Sequence, residues 1–164
     1  MDTGGQTWVE TVEGFEISSG MSLTTIAPEI RLDTTGHRLT QFAIDVECFG
    51  TAVVQCYIRY TDADNYILMQ WGNEQFMLKQ VVAGVIKNNL TRNSAGTFCR
   101  FDCQIAASVV TITWRSWCPH GWQPEHIERF IERLTDGDAL RIATTNTARD
   151  LITLDDVVIA GTER

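Results

Sequence analysis

Asp45 and Glu47 stand two residues apart in Phe42-Ala43-Ile44-Asp45-Val46-Glu47-Cys48. On an extended strand this spacing puts two carboxylates on one face, where they could share acid and base work. The same alternation also describes an ordinary amphipathic strand with its polar side in water, and that reading is preferred. Cys99, Cys103, Cys118 and His120 have the chemistry of a zinc tetrahedron. Here, however, Cys-x3-Cys runs along a strand instead of a turn, and no metal site is assigned. Cys99 and Cys103 would lie about 13 Å apart at roughly 3.3 Å per residue, beyond the roughly 7 Å a disulfide spans. The five cysteines therefore read as buried thiols. Asp155-Asp156 offers too few of the roughly 6 to 8 oxygens calcium takes, so a turn or β-bulge is expected there. His37, His120 and His126 have no Ser or Cys context, and neither Gly-x-Ser-x-Gly nor a phosphate-cradling glycine loop occurs. The chain is read as non-enzymatic, without a cofactor.

What remains is recognition chemistry. Tyr57, Arg59, Met69, Trp71, Gln75 and Met77 are expected on one sheet face, alongside Gln55, Ile67 and Lys79. The opposite face, with Val54, Cys56, Ile58, Tyr60, Tyr66, Leu68, Phe76, Leu78 and Val82, is expected to be the core. This register follows from centring one turn on Ala63 and the next on Asn73, since alternation makes a one-residue slip invert a whole strand. Trp117 and Trp122 sit in an aromatic loop, Trp117-Cys118-Pro119-His120-Gly121-Trp122. Aromatics beside amides and cations suit a sugar, whose ring stacks while its hydroxyls bond. Aromatic, Met and Arg side chains are also enriched at protein interfaces. The competing reading is that the helix below or the N-terminal segment covers the face, with the loop tryptophans closing one end.

These residues need strands to place them. Gln41 to Leu90 reads as strand and tight turn repeated, through Asp62-Ala63-Asp64-Asn65 and Gly72-Asn73-Glu74. Thr97 to Ile105 and Val110 to Trp114 form a further hairpin around Ala107-Ser108, with Arg100, Asp102 and Gln104 outward. One short helix is expected near residues 124–134, from Pro124 at its first turn, a stripe of Ile127, Phe130, Ile131 and Leu134, and Asp136-Gly137 as the stop. Ala139 to Ala143 and Leu151 to Ala160 return to strand. The 164 residues suit one domain, residues 1–164, as a chain of this size buries roughly 68 to 70% of its unfolded surface. With 13 Lys and Arg against 21 Asp and Glu, the net charge is −8, which argues against a nucleic-acid partner. No apolar run approaches the roughly 18 residues of a membrane span, and no signal-type segment opens the chain. Synthesis in the cytoplasm is expected, with any exterior location, such as a virion surface, reached by assembly and lysis.

Tyr60-Thr61-Asp62-Ala63-Asp64-Asn65-Tyr66, the apolar strand, Gly turn and strand after it, and the terminal Leu154-Asp155-Asp156-Val157-Val158-Ile159 together resemble concanavalin A-like lectin/glucanase domains of the laminin-G-like type. The resemblance spans Gln41 to Ile159. It implies an all-β jelly-roll sandwich of two antiparallel sheets, a fold shared by lectins, glycosidases, lyases and accessory domains. Glycosidases of this kind carry Glu-x-Asp-x-x-Glu. Here Ala43 replaces the leading Glu and Cys48 the last, so the motif fails at Asp45. The sequence therefore favours a structural or decoration component of a larger assembly such as a virus particle, with other protein subunits as partners. Glycan binding is the alternative, and a glycoside hydrolase or polysaccharide lyase comes third.

Overall fold

The computed structural model describes residues 7–10, 15–17, 22–25, 29–33, 37–134, 139–144 and 151–163, with side chains for 38–134 and 140–143. Among the described residues the chain is all-β, built as two antiparallel sheets. Sheet A runs in the order β1 (Thr7–Glu10), β4 (Glu29–Asp33), β14 (Ala139–Thr144), β6 (Val53–Asp62), β7 (Asn65–Gly72), β8 (Gln75–Val82), β9 (Val85–Asn93). Sheet B runs β12 (Gly121–Trp122), β11 (Val109–Cys118), β10 (Phe98–Ala106), β5 (His37–Cys48), β15 (Leu151–Glu163), β3 (Ser22–Thr25), β2 (Phe15–Ile17), and β13 (His126–Ile131) also pairs with β11.

Strand alternation builds the core. In sheet B, Phe42, Ile44, Val46 and Cys48 of β5, Cys99, Phe101 and Cys103 of β10, and Val110, Ile112 and Trp114 of β11 all turn inward and are buried. Phe76 from sheet A stacks on Trp114 at 4.1 Å between centroids and tilts against Phe101 at 6.2 Å, tying the two layers together. Cys48, Cys56, Cys99 and Cys103 are buried as expected, Cys118 is only partly buried, and none of the five forms a disulfide among the described residues. The expected bulge after Asp155 is present: Asp155 pairs with Asp45, and the register resumes at Val158 with Ala43.

The expected register of β7 is inverted. Trp71 lies opposite Val54 and Phe76, Met69 opposite Cys56 and Leu78, and Ile67 opposite Ile58. Both turns are two-residue loops, Ala63-Asp64 and Asn73-Glu74, so each pivots between two residues instead of on one. That half-step slides the pairing by one residue and turns β7 over relative to both neighbours. Met69 and Trp71 are therefore core residues with no exposure. The indole N–H of Trp71 donates to the Thr97 carbonyl at 3.2 Å. Tyr66 moves to the outer face instead, where it meets Tyr57 edge-on at 5.2 Å.

Arg59 is also inside, 2% exposed, for a different reason. It adopts a left-handed backbone, φ +54°, where the β6–β7 register shifts, and this bulge turns its side chain inward while Tyr60 swings out against Tyr57. Its Nε donates to Glu132 Oε1 at 2.5 Å, and Arg38 Nη2 reaches the same oxygen at 3.1 Å.

The expected helix near residues 124–134 is strand β13. His126 to Ile131 pair with β11 from Trp114 back to Val109. An 11-residue helix is marginal by itself, whereas β11 presents an edge whose N–H and C=O groups need partners. On β13 Phe130 is buried and Ile127 and Ile131 face outward. The segment after it fastens the layers together: Glu132 N–H donates to the Ser108 carbonyl, Arg133 N–H to Gln80 Oε1, and Gln80 Nε2 to the Ile131 carbonyl.

Candidate functional site

The outer face of sheet B carries a cross-strand aromatic row. Cys99, Trp114 and Ser116 point inward, so alternation sends Phe98, Arg100, Arg115 and Trp117 outward. Register then places Glu47, Phe98, Trp117 and Trp122 in one line across β5, β10, β11 and β12. The tight turn between β11 and β12 folds Trp122 back beside Trp117, the two rings perpendicular with centroids 5.5 Å apart. Phe98 meets Trp122 edge-on, also at 5.5 Å. Trp117 and Trp122 remain 46% and 40% exposed, and on a sheet with so much apolar surface hidden this leaves a usable platform.

Charged groups flank the platform. The next row holds Asp45, Arg100 and Arg115. Arg115 lies over the Trp122 ring, 4.2 Å from its centroid, a cation–π contact. Arg100 Nε lies 3.6 Å from the largely buried Asp45 carboxylate. A hollow of about 150 Å³ opens among Arg100, Asp102, Thr113, Arg115 and Glu125. On the other side of Trp117 a wider hollow of about 640 Å³ runs past Glu47, Asn73, Glu74 and Thr97. Beneath the platform, burial raises the Cys99 thiol pKa well above its ordinary 9.0, with the nearby Cys48 and Asp45 adding to the shift, so this sulfur serves packing.

The sequence-selected residues divide among three places. Trp117 and Trp122 are brought together on sheet B. Tyr57, Gln75 and Met77 lie on the outer face of sheet A, on the far side of the sandwich. There Tyr57 meets Tyr60 and Tyr66 edge-on, Arg141 sits 5.1 Å from the Tyr57 ring, and Gln55 links Tyr57 to Gln70. Arg59, Met69 and Trp71 are in the core and belong to neither surface. Phe98 and Arg115 belong to the site but are not among the residues the sequence singles out. The signal for them was the outward parity of Arg100 and Asp102 on β10, extended one residue pair back and across to β11.

Comparison with known structures places this architecture. A functionally unknown protein from Saccharomyces cerevisiae superimposes with a TM-score of 0.59 at 10% identity, covering 100% of both chains. A legume lectin-like domain from Entamoeba histolytica gives 0.60 at 7% identity, covering 93% of this chain and 89% of the other. A Caenorhabditis elegans galectin gives 0.50 at 7% identity over 89% and 94%. The fold is an all-β sandwich of two antiparallel sheets, similar in architecture to these structures. No family model matches the sequence, and no curated protein matches it.

Proposed function

We propose that this protein is a carbohydrate-binding, lectin-like module whose ligand lies across Trp117 and Trp122 on the outer face of sheet B. The observation that carries the reading is the pair of half-exposed perpendicular tryptophans beside a charged hollow. One ring offers a face for a sugar, while Arg100, Asp102, Thr113 and Glu125 offer donors and acceptors for its hydroxyls. The fold, shared with a legume lectin-like domain, supports it. The module is read as binding without turnover, since the Glu-x-Asp-x-x-Glu pattern of glycosidases fails at Asp45.

Retention on a broad glycan array tests this. Trp117→Ala and Trp122→Ala should each abolish retention, with circular dichroism unchanged. Full retention by both variants removes the platform as the site.

A second reading, the structural or decoration role in a larger assembly, draws on another edge. Val85, Ile86 and Ile131 are more than half exposed there, where Gln80 bridges β9 and β13 through Asn88 and the Ile131 carbonyl. An assembly partner would cover this apolar edge and leave the tryptophans free.

A further inference from the structure

We infer that the glycan taken by the Trp117–Trp122 platform is acidic, carrying a carboxylate that docks between Arg100 and Arg115. The inference rests on the carbohydrate reading above and deepens it. Arg100 and Arg115 are directly paired residues of β10 and β11 on the outer face. Side chains so placed have Cβ atoms about 4.5 to 5.5 Å apart, and like charges at that spacing repel. In a chain of net charge −8, two directly paired arginines that line one hollow, Arg100 leaning toward Asp45 and Arg115 over Trp122, call for an anion between them.

The row they belong to is polarised. Across β15, β5, β10 and β11 its register positions read Asp155, Asp45, Arg100, Arg115. The acids occupy the end away from the platform and the cations the end beside it. Glu47 likewise sits at the β5 end of the aromatic row, three strands from Trp122. Asp45 takes up part of Arg100's charge at 3.6 Å. Among the described residues Arg115 forms no ion pair and is held only over Trp122. Two acids line the hollow with the arginines, Glu125 and Asp102, and Asp102 already accepts a hydrogen bond from Gln41 Nε2 at 3.1 Å. These carboxylates suit sugar hydroxyls, which donate, and Thr113 adds a hydroxyl.

At about 150 Å³, and with liquid water taking roughly 30 Å³ per molecule, the hollow holds about five waters' worth of ligand, enough for a carboxylate and the edge of one ring. The remainder of that ring then rests on the indole surface next door. Guanidinium binds a carboxylate in a planar two-pronged fashion that a neutral hydroxymethyl cannot reproduce.

The test is titration of the intact chain, followed by tryptophan fluorescence and calorimetry, with uronic-acid oligosaccharides and their carboxyl-reduced neutral counterparts. The acidic form should bind about tenfold more tightly or better at low ionic strength, and the margin should shrink with salt. Arg115→Gln and Arg100→Gln should each bring the two forms to near equality, while Arg115→Lys keeps part of the preference. Equal binding of both forms by the unmodified protein overturns the inference and leaves the carbohydrate reading standing. Binding of neither form, together with an empty glycan array, overturns both. A preference unaffected by either glutamine substitution moves the carboxylate elsewhere and also overturns the inference.

Discussion

Removing Glu132 should unfasten the two sheets. Its carboxylate lies where the bulge at Arg59 turns a guanidinium into the core, with side-chain exposures of 1% for Arg59 and 5% for Glu132. Burial lowers the Arg59 pKa, and the hydrogen bond and charge of Glu132 oppose that fall. Arg59 Nη1 already has no hydrogen-bond partner among the described residues, so Glu132→Ala leaves a cation in the core without its counter-ion. Breaking a buried pair from one side costs about 3 to 5 kcal/mol, a large share of the roughly 5 to 15 kcal/mol that holds a domain folded. With a urea m-value of about 2 kcal/mol per molar, the unfolding midpoint should fall by about 2 M. Arg38 keeps its bond to the Leu134 carbonyl and is partly in water, so its share of the loss is small. The joint replacement Arg59→Met with Glu132→Leu removes both charges and fills similar volume, and should return stability to within about 1.5 kcal/mol of the parent. Urea melts followed by circular dichroism measure all three proteins. A midpoint shift under 0.5 M for Glu132→Ala, or a double variant no more stable than the single one, refutes the ion-pair argument.

Alkali should weaken the fold. Burial holds the Cys56, Cys99 and Cys103 thiols well above their ordinary 9.0, so above that value they ionise in the unfolded chain but not in the folded one. Stability is fully present below about pH 9 and is then lost at about 1.4 kcal/mol per pH unit per thiol, about 4 for the three; urea melts at pH 8, 9.5 and 10.5 would show this, and a flat profile contradicts it. Under native conditions at neutral pH, Cys118, the one partly exposed thiol, should take up one equivalent of iodoacetamide by mass spectrometry while the other four wait for denaturant. Rapid labelling of all five would mean the core opens. Gly96 has φ +113°, and an added Cβ would stand 1.9 Å from the Trp117 carbonyl oxygen. Gly96→Ala should therefore destabilise by about 2 kcal/mol or more and weaken glycan retention, because the strand that presents Trp117 must shift.

Much of the architecture is legible where apolar and polar residues alternate without interruption. Phe42 to Cys48 and Cys99 to Ile105 set their own faces, and Ala107-Ser108 sits midway between two such runs, so that hairpin is found in its true register. The β6–β7–β8 meander resists the same treatment because both faces of β7 are apolar: Tyr66, Leu68, Ile67, Met69 and Trp71 give no polar side to break the tie. Asn73 and Glu74 both take left-handed backbone, φ +51° and +57°. Glutamate is a poor advertisement for that conformation, whereas Asn-Gly would have announced a two-residue loop. Strand β9 hides for the opposite reason, since Lys87-Asn88-Asn89-Leu90-Thr91-Arg92-Asn93 is an edge strand, mostly exposed, and carries almost no apolar signal. On β13, Ile127, Phe130 and Ile131 fit a helical stripe as well as a strand, and only the open edge of β11 decides between them.

The site follows from the same register logic, which explains why only half of it is visible in the chain. Trp117 and Trp122 are five residues apart and read as a pair from sequence. Phe98 and Arg115 join them only through the pairing of three strands. That construction also bears on affinity. Each platform residue alternates with a buried one: Phe98 with Cys99, Arg115 with Trp114 and Ser116, and Trp117 with Ser116, whose hydroxyl pairs with Ser94 at 2.7 Å. Trp114 is itself clamped between Phe76 and His126. The indoles and the guanidinium are therefore held from beneath by the core, and Arg115 is steered from above by Trp122. A ligand meeting this surface does not have to order it first, so little of its contact energy is spent on fixing side chains. On the proposed glycan reading, substitutions under the platform that keep the fold but loosen packing, such as Phe76→Leu, should lower glycan affinity without touching the ligand.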